Sequence, residues 1–159
     1  MNHSLSTTVM RKFISASLTT SLFSFVYAWL EPYPFDSSKY SISFGIHFHE
    51  AFCLVSVYMM YAAPAIYLYG TAASLLSEWL ASVVSKRRWL QLSISVFLHC
   101  TFGLILLKIS LLAAVIFFIT DTLIALLIKQ PLTLNLTLIS HLIPLGLWIA
   151  SVVYSNLTG

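Results

Sequence analysis

Apolar residues run along this chain in blocks long enough to cross a lipid bilayer, separated by short polar or Pro-containing intervals. A helix needs about 20 apolar residues to cross a hydrocarbon core about 30 Å thick. The pattern predicts five such helices, over residues 13–30, 48–69, 89–107, 110–128 and 136–154. The first is the least hydrophobic, because Ser15, Ser17, Thr19, Thr20, Ser21 and Ser24 interrupt it. The second contains Pro64, which predicts a kink that neighbouring helices must accommodate. The fifth contains Pro144.

The intervals are equally informative. Residues 31–40, "EPYPFDSSKY", hold two prolines and three charges and read as a loop. Gly70 punctuates the chain after the second span. In residues 71–85, Leu75, Leu76, Trp79, Leu80, Val83 and Val84 recur at helical spacing, with Ser74, Ser77, Glu78 and Ser85 between them. With Lys86, Arg87 and Arg88 following, this stretch reads as an amphipathic helix lying at the membrane surface. Lys129, Gln130 and Pro131 close the fourth span.

The expected fold is therefore all-α, a single polytopic transmembrane bundle of five spans. Two features reduce the count to four. Residues 11–28 also resemble a signal peptide, with a basic start, an apolar stretch and "VYA" ending at Ala28. The long segment before it and the aromatic pair Tyr27 and Trp29 fit an uncleaved anchor better. Alternatively, the third and fourth spans form a re-entrant pair around Lys108.

Composition sharpens the class. Of 159 residues, 59% are hydrophobic and only 8% charged, whereas soluble domains carry about 25% charged residues. That leaves too few charges to coat a water-soluble globule and no room for a soluble catalytic domain. A formal charge of +3, spread along the chain, gives no basis for nucleic-acid binding. Cys53 and Cys100 lie inside apolar segments and read as small hydrophobes rather than a disulfide framework. Basic residues set the orientation. With the N-terminus inside, Arg11, Lys12, Lys86, Arg87, Arg88 and Lys129 are cytoplasmic, and Lys39 and Lys108 are outside. The two "NLT" tripeptides, at Asn135 and Asn156, are common by chance and carry no glycosylation reading.

Residues 61–105 carry "YLYGTAASLLSEWL", then "KRR", then "SVFLHCTFG". This resembles a group of small multi-span membrane proteins of Bacillus-type bacteria. The likeness rests on Tyr69, Gly70, Ser74 to Glu78, His99 and Gly103, and covers less than a third of the chain. It implies a bacterial cytoplasmic-membrane address and no mechanism.

Ionisable groups inside a span cost about 2.5–3.5 kcal/mol for a central Asp, Lys or Arg, so they mark functional candidates. The candidates are His47, His49, Glu50, His99, Asp121 and His141. His47 and Glu50 share a helix face and could reach one metal. Zinc needs three or four ligands, however, and no second copy of the motif exists. Residues 51–69 can already cross the bilayer, which puts the His47–Glu50 cluster at the outer, wet rim. His99, Asp121 and His141 fall in the inner half on three different spans. An Asp with a His partner lowers the cost of burial and can relay protons. The competing structural role for Asp121 is to hydrogen-bond Thr120, Thr122 or a neighbouring helix.

No phosphate loop, Cys-x-x-Cys pair, nucleophile elbow or His-Glu-x-x-His motif is present. The expectation is a non-enzymatic membrane protein without metal or cofactor. It would act in the bilayer by packing against a second copy or another membrane protein. The alternatives are an oligomeric proton- or metal-linked transporter using Asp121 and His99, and a haem protein ligated by His99 and His141.

Overall fold

The computed structural model describes residues 2–32, 43–105, 108–128 and 132–158, and every regular element among them is helical. α1 spans Asn2–Leu30, α2 Phe44–Pro64, α3 Thr71–Val84, α4 Arg88–Ile105, α5 Lys108–Leu127, α6 Leu134–Ser140 and α7 Leu142–Thr158. Among the described residues, four stretches are long and apolar enough to cross a membrane: Ser6–Leu30, Phe44–Val84, Ile109–Leu127 and Leu134–Thr158. Of the intervals read as loops, residues 33–40 and Lys129–Pro131 lie outside the described residues.

The run Phe44–Val84 is one helical stretch of 41 residues, joined across Pro64 by a π-helical turn over Ala65–Gly70. Pro64 has no N–H to donate. The wider turn that follows lets the Thr71 N–H reach back to the Ile66 carbonyl, a way of re-satisfying backbone around a proline. Gly70 sits at φ −60° and ψ −44°, in ordinary helical conformation. It does not punctuate the chain as its identity predicts. Residues 71–84 are helical as the pattern predicts, but they continue α2 instead of starting a separate element. Their small and polar positions, Thr71, Ala73, Ser74, Ser77 and Ala81, are the buried ones. Leu76, Trp79, Val83 and Val84 face outward. A helix with its polar face inward and its bulky apolar face outward is built for a lipid exterior.

α6 and α7 form a nearly continuous helix with a break at His141. Thr133 caps α6 by accepting the Leu136 N–H. Pro144 cannot donate to the Ser140 carbonyl, and its ring crowds that oxygen, which accounts for the interruption three residues earlier.

α1 is the central element. Half of its most apolar window is buried, against 22–28% for the other three stretches. The α2–α3 run packs antiparallel to it: Arg11 meets Glu78, Ser17 meets Tyr67, and Tyr27 meets Tyr58. α5 is also antiparallel to α1, with Ile14 and Ile124 in one cluster and Ala16, Phe23 and Phe117 in another. α6 and α7 run alongside α1, from Leu132 near Ile14 to Tyr154 near His49. The bundle thus has a charged end, with Arg11 and Glu78, and a histidine end, with Trp29, His47 and Tyr154.

The Ser/Thr residues that make α1 the least hydrophobic span are its buried face. Ser15, Ser17, Thr19, Thr20 and Ser24 are fully buried. Several satisfy themselves within the helix: Ser15, Ser17 and Ser21 each donate to the carbonyl four residues earlier. Others bind across helices. The Thr120 hydroxyl donates to the Ile116 or Phe117 carbonyl, so the 2.9 Å contact with Thr19 is donated by Thr19. Tyr67 donates to Ser17 at 2.7 Å, because the Ser17 proton is directed to the Phe13 carbonyl. The Thr20 and Ser24 hydroxyls are buried without a hydrogen-bond partner among the described residues.

α4 returns antiparallel along α5, since Gly103 lies against Ser110 and Ala114 while His99 lies against Phe117. This hairpin depends on Gly103. A Cβ there would stand 2.7 Å from the Ala114 Cβ and 3.3 Å from the Leu111 backbone. At Gly70 the nearest neighbour would be a Phe117 ring carbon at 3.5 Å, an ordinary contact. Gly103→Ala is therefore expected to lower stability by about 1–3 kcal/mol, the usual cost of overpacking. Gly70→Ala is expected to be neutral or slightly stabilising. Thermal unfolding of both variants in one detergent checks this; equal shifts would contradict the close α4–α5 approach.

Candidate functional site

Three helices bring four charges to one place at the charged end. Arg11 and Lys12 come from α1, Glu78 from α3 and Asp121 from α5. The Arg11 Nε donates to Asp121 at 3.0 Å, and its Nη2 donates to both Glu78 oxygens at 2.8 Å. The Lys12 Nζ donates to Asp121 at 2.6 Å and lies 2.9 Å from Glu78. Ser15, one turn along α1, shares its single hydroxyl proton between the Arg11 carbonyl and Asp121, which lies 3.1 Å away.

The local chain explains this convergence. Arg11 and Lys12 are adjacent, so they diverge by about 100° around α1 and reach toward α3 and α5 at once. Small residues beside them, Ser15 on α1 and Ser74 and Ser77 on α3, allow the backbones to approach. Two cations and two carboxylates make the cluster neutral. Four such charges standing alone at depth would cost on the order of 10 kcal/mol on insertion scales. Mutual pairing offsets that cost, and each partner's charge depends on the others remaining in place.

The network forms one wall of a cleft of about 830 Å³ between α1, α3, α4 and α5. Ser74, Ser82, Gln91 and Ser95 add polar lining, Trp89, Leu92, Phe118 and Leu126 add apolar lining, and Arg88 stands among them. The Glu78 side chain is 46% exposed, against 3% for Lys12, so Glu78 faces the opening and Lys12 the interior. The turn from α3 to α4 is tied down by the Gln91 amide, which donates to the Ser85 carbonyl at 2.7 Å, and by the Arg87 N–H, which donates to the Ser85 hydroxyl.

The residues singled out from the sequence separate into distinct surroundings. Asp121 belongs to the charge network. His99 is buried on α4, its ring against Phe117 at 5.6 Å and Phe118 at 6.4 Å, about one turn before Asp121 on α5. It also borders a void of about 60 Å³ beside the π-helical turn, lined by Ala65, Gly70, Ala73 and Gly103. His99 and Asp121 are therefore neighbours in the fold but share no hydrogen bond. His141 is elsewhere, at the α6–α7 break, where its Nδ1 donates to the Thr137 carbonyl at 2.6 Å and its ring packs on Tyr67 and Phe13.

Glu50 and the two histidines before it lie at the opposite end of the bundle. There the His47 Nε2 donates to the Trp29 carbonyl at 3.0 Å, and the His49 Nδ1 shares a 3.2 Å bond with the Tyr154 hydroxyl. Each histidine thus joins α2 to a different helix. Among the described residues, no group of three or more His, Cys, Asp or Glu is arranged to hold a metal ion.

Arg11, Lys12 and Glu78 were not among the residues singled out from the sequence. The basic pair reads there as the cytoplasmic flank of the first span, and Glu78 as a polar position of an interfacial helix. A signal was nevertheless present: two adjacent cations bordering one apolar block match two isolated carboxylates inside others. Comparison with protein-family models, with curated proteins and with solved structures gave no match.

The network makes a graded expectation. Asp121→Asn leaves the buried Lys12 charge with one carboxylate fewer and is expected to destabilise by about 3–5 kcal/mol, the usual cost of breaking a buried pair. Lys12→Met with Asp121→Leu removes both signs and leaves the Arg11–Glu78 pair intact. This double variant is expected to be more stable than Asp121→Asn alone, read as midpoints of thermal or denaturant unfolding in detergent. A double variant as weak as the single one would refute the charge-balance reading.

Proposed function

We propose that this chain is a small integral membrane protein that performs no catalysis itself and acts through helix contacts with partners inside the bilayer. Its exterior supports a membrane location: Leu22, Phe25, Leu68, Phe97, Leu126, Leu145 and Val153 are among the large apolar side chains turned outward, while hydroxyls and charges are gathered inside. A water-soluble protein has the reverse arrangement.

The observation that carries the non-enzymatic reading is that the charges at depth are occupied in pairing. Glu78 and Asp121 hold Arg11 and Lys12, and among the described residues neither His99 nor His141 is hydrogen-bonded to a carboxylate. A proton relay would need a hydrogen-bonded path through these groups, so the transporter reading draws no support from their geometry.

In this reading the bilayer is a bacterial cytoplasmic membrane, as the resemblance of residues 61–105 implies. α4 supplies a fifth crossing, because it runs back antiparallel along α5. The charged end, with Arg11 and the α3–α4 turn carrying Lys86, Arg87 and Arg88, faces the cytoplasm, and the histidine end faces outward with the C-terminus. α1 stays attached, since its loss would strip Glu78 and Asp121 of both cations.

One set of preparations tests these points. Cys53 and Cys100 are replaced by Ala, and single cysteines are placed at Ser85 and Asn156. On intact cells, a membrane-impermeant maleimide is expected to label the Asn156 position and spare Ser85; the reverse would overturn the orientation. Liposomes containing the purified protein are expected to hold a pH gradient as well as empty ones. A leak abolished by Asp121→Asn would replace this reading with a proton pathway.

A further inference from the structure

We infer that the cleft at the charged end is a binding site for one anionic phospholipid, its phosphodiester headgroup held by Arg88 and its acyl chain lying between α4 and α5. The inference rests on the membrane placement proposed above and adds a ligand class to it.

Charge comes first. The wall of the cleft is neutral, because Arg11 and Lys12 are matched by Glu78 and Asp121. The remaining charged side chain in the lining is Arg88, which has no ion-pair partner among the described residues. Lys86 and Arg87 precede it directly in the chain. The surplus is therefore positive, and guanidinium geometry suits two oxygens of a phosphate.

Shape and polarity then select a lipid over a free anion. Pockets of about 300–1,000 Å³ hold ligands of drug size, and at about 830 Å³ this cleft greatly exceeds the needs of one phosphate. Away from the charges the lining on α4 and α5 is largely apolar, with Leu92, Ala125 and Leu126 near the Arg88 end and Phe118 deeper, and with Ser95 and Thr122 among them. Trp89 stands at the same end, 83% exposed, as an indole at the headgroup level does. Basic pockets between helices on the cytoplasmic side are the recognised setting for anionic headgroups. A cationic rim continuous with an apolar trough thus matches the two halves of an anionic phospholipid.

The test uses the full chain in vesicles, with Trp29, Trp79 and Trp148 replaced by Phe so that Trp89 reports alone. Its fluorescence is titrated with brominated-chain phosphatidylglycerol and, separately, with brominated-chain phosphatidylcholine. Half-maximal quenching is expected at about fivefold lower mole fraction of the anionic lipid, the factor one cationic side chain near the surface contributes. Arg88→Gln is expected to abolish that preference. Ala125→Phe, which fills the trough and keeps every charge, is expected to reduce quenching by both lipids. Equal quenching by the two lipids, or a preference unchanged in both variants, would overturn the inference. Inorganic phosphate at millimolar concentration is expected to leave quenching intact; displacement by phosphate would assign the site to a free anion instead. Flotation with the vesicles separates the two readings, since a chain that floats without lipid preference refutes only the lipid site. A chain that fails to float refutes the membrane placement itself.

Discussion

Lys12 sits on the central helix with its side chain 3% exposed, and the structure has to provide for that charge. An isolated ammonium in such a place is unfavourable by several kcal/mol. It is retained because Asp121 lies 2.6 Å away and Glu78 2.9 Å away, with Arg11 completing the charge balance. Those two carboxylates belong to α3 and α5. Satisfying the α1 cations therefore fixes how far α3 and α5 can stray from α1. Among apolar surfaces alone, many packings have similar energies in lipid, because tails are as apolar as side chains. The charge network removes that degeneracy at one end of the bundle.

Along the rest of α1, hydroxyls do similar work at lower strength. Thr19 with Thr120, and Ser17 with Tyr67 and Ser140, tie it to α5, to the π-helical turn and to α6. Interhelical bonds of this kind contribute about 0.6 kcal/mol each on average, so they set register more than they supply stability. Near the other end, Ser151 donates to the Phe52 carbonyl at 2.7 Å and accepts from the Ser56 N–H at 3.1 Å, joining α7 to α2. The polar groups thus form a discontinuous inner seam, and the bulky side chains are left to face the bilayer.

The helical class was legible in the sequence, because period and length are local properties. Which face of a block turns inward was harder to read. The pattern at 71–85 has a strong amphipathic character, and in a soluble context its Leu, Trp and Val face would be the buried one. Here lipid takes that role, so Ser74, Ser77 and Ala81 pack inward instead. Gly70 misled for a related reason: glycine marks a break in water, yet a helix flanked by others tolerates it and here continues through it. Asp121 could be picked out as a buried acid, whereas its partners were marked only by the mismatch of two cations beside one apolar block with carboxylates inside others. They lie 109 and 110 residues away in the chain for Lys12 and Arg11, and nothing local links them. His99 and His141 both count to the inner half along their helices yet pack against different neighbours, Phe117 and Phe118 for one and Phe13 and Tyr67 for the other, which residue counting along a helix does not resolve.

These features describe a bundle whose buried charges and hydroxyls pair with one another, with an amphipathic cleft at its charged end. The claim on which this account turns is that opposite charge across α1 and α5, rather than the identity of the side chains, positions the central helix. A charge exchange tests it: Lys12→Glu, Asp121→Lys, and the two together, each followed by thermal unfolding and gel filtration in detergent. Both single variants are expected to lose most of the folded, monodisperse protein, and the double variant to recover a substantial part of it. A double variant no better than the worse single one, or single variants as stable as the parent, would contradict the account.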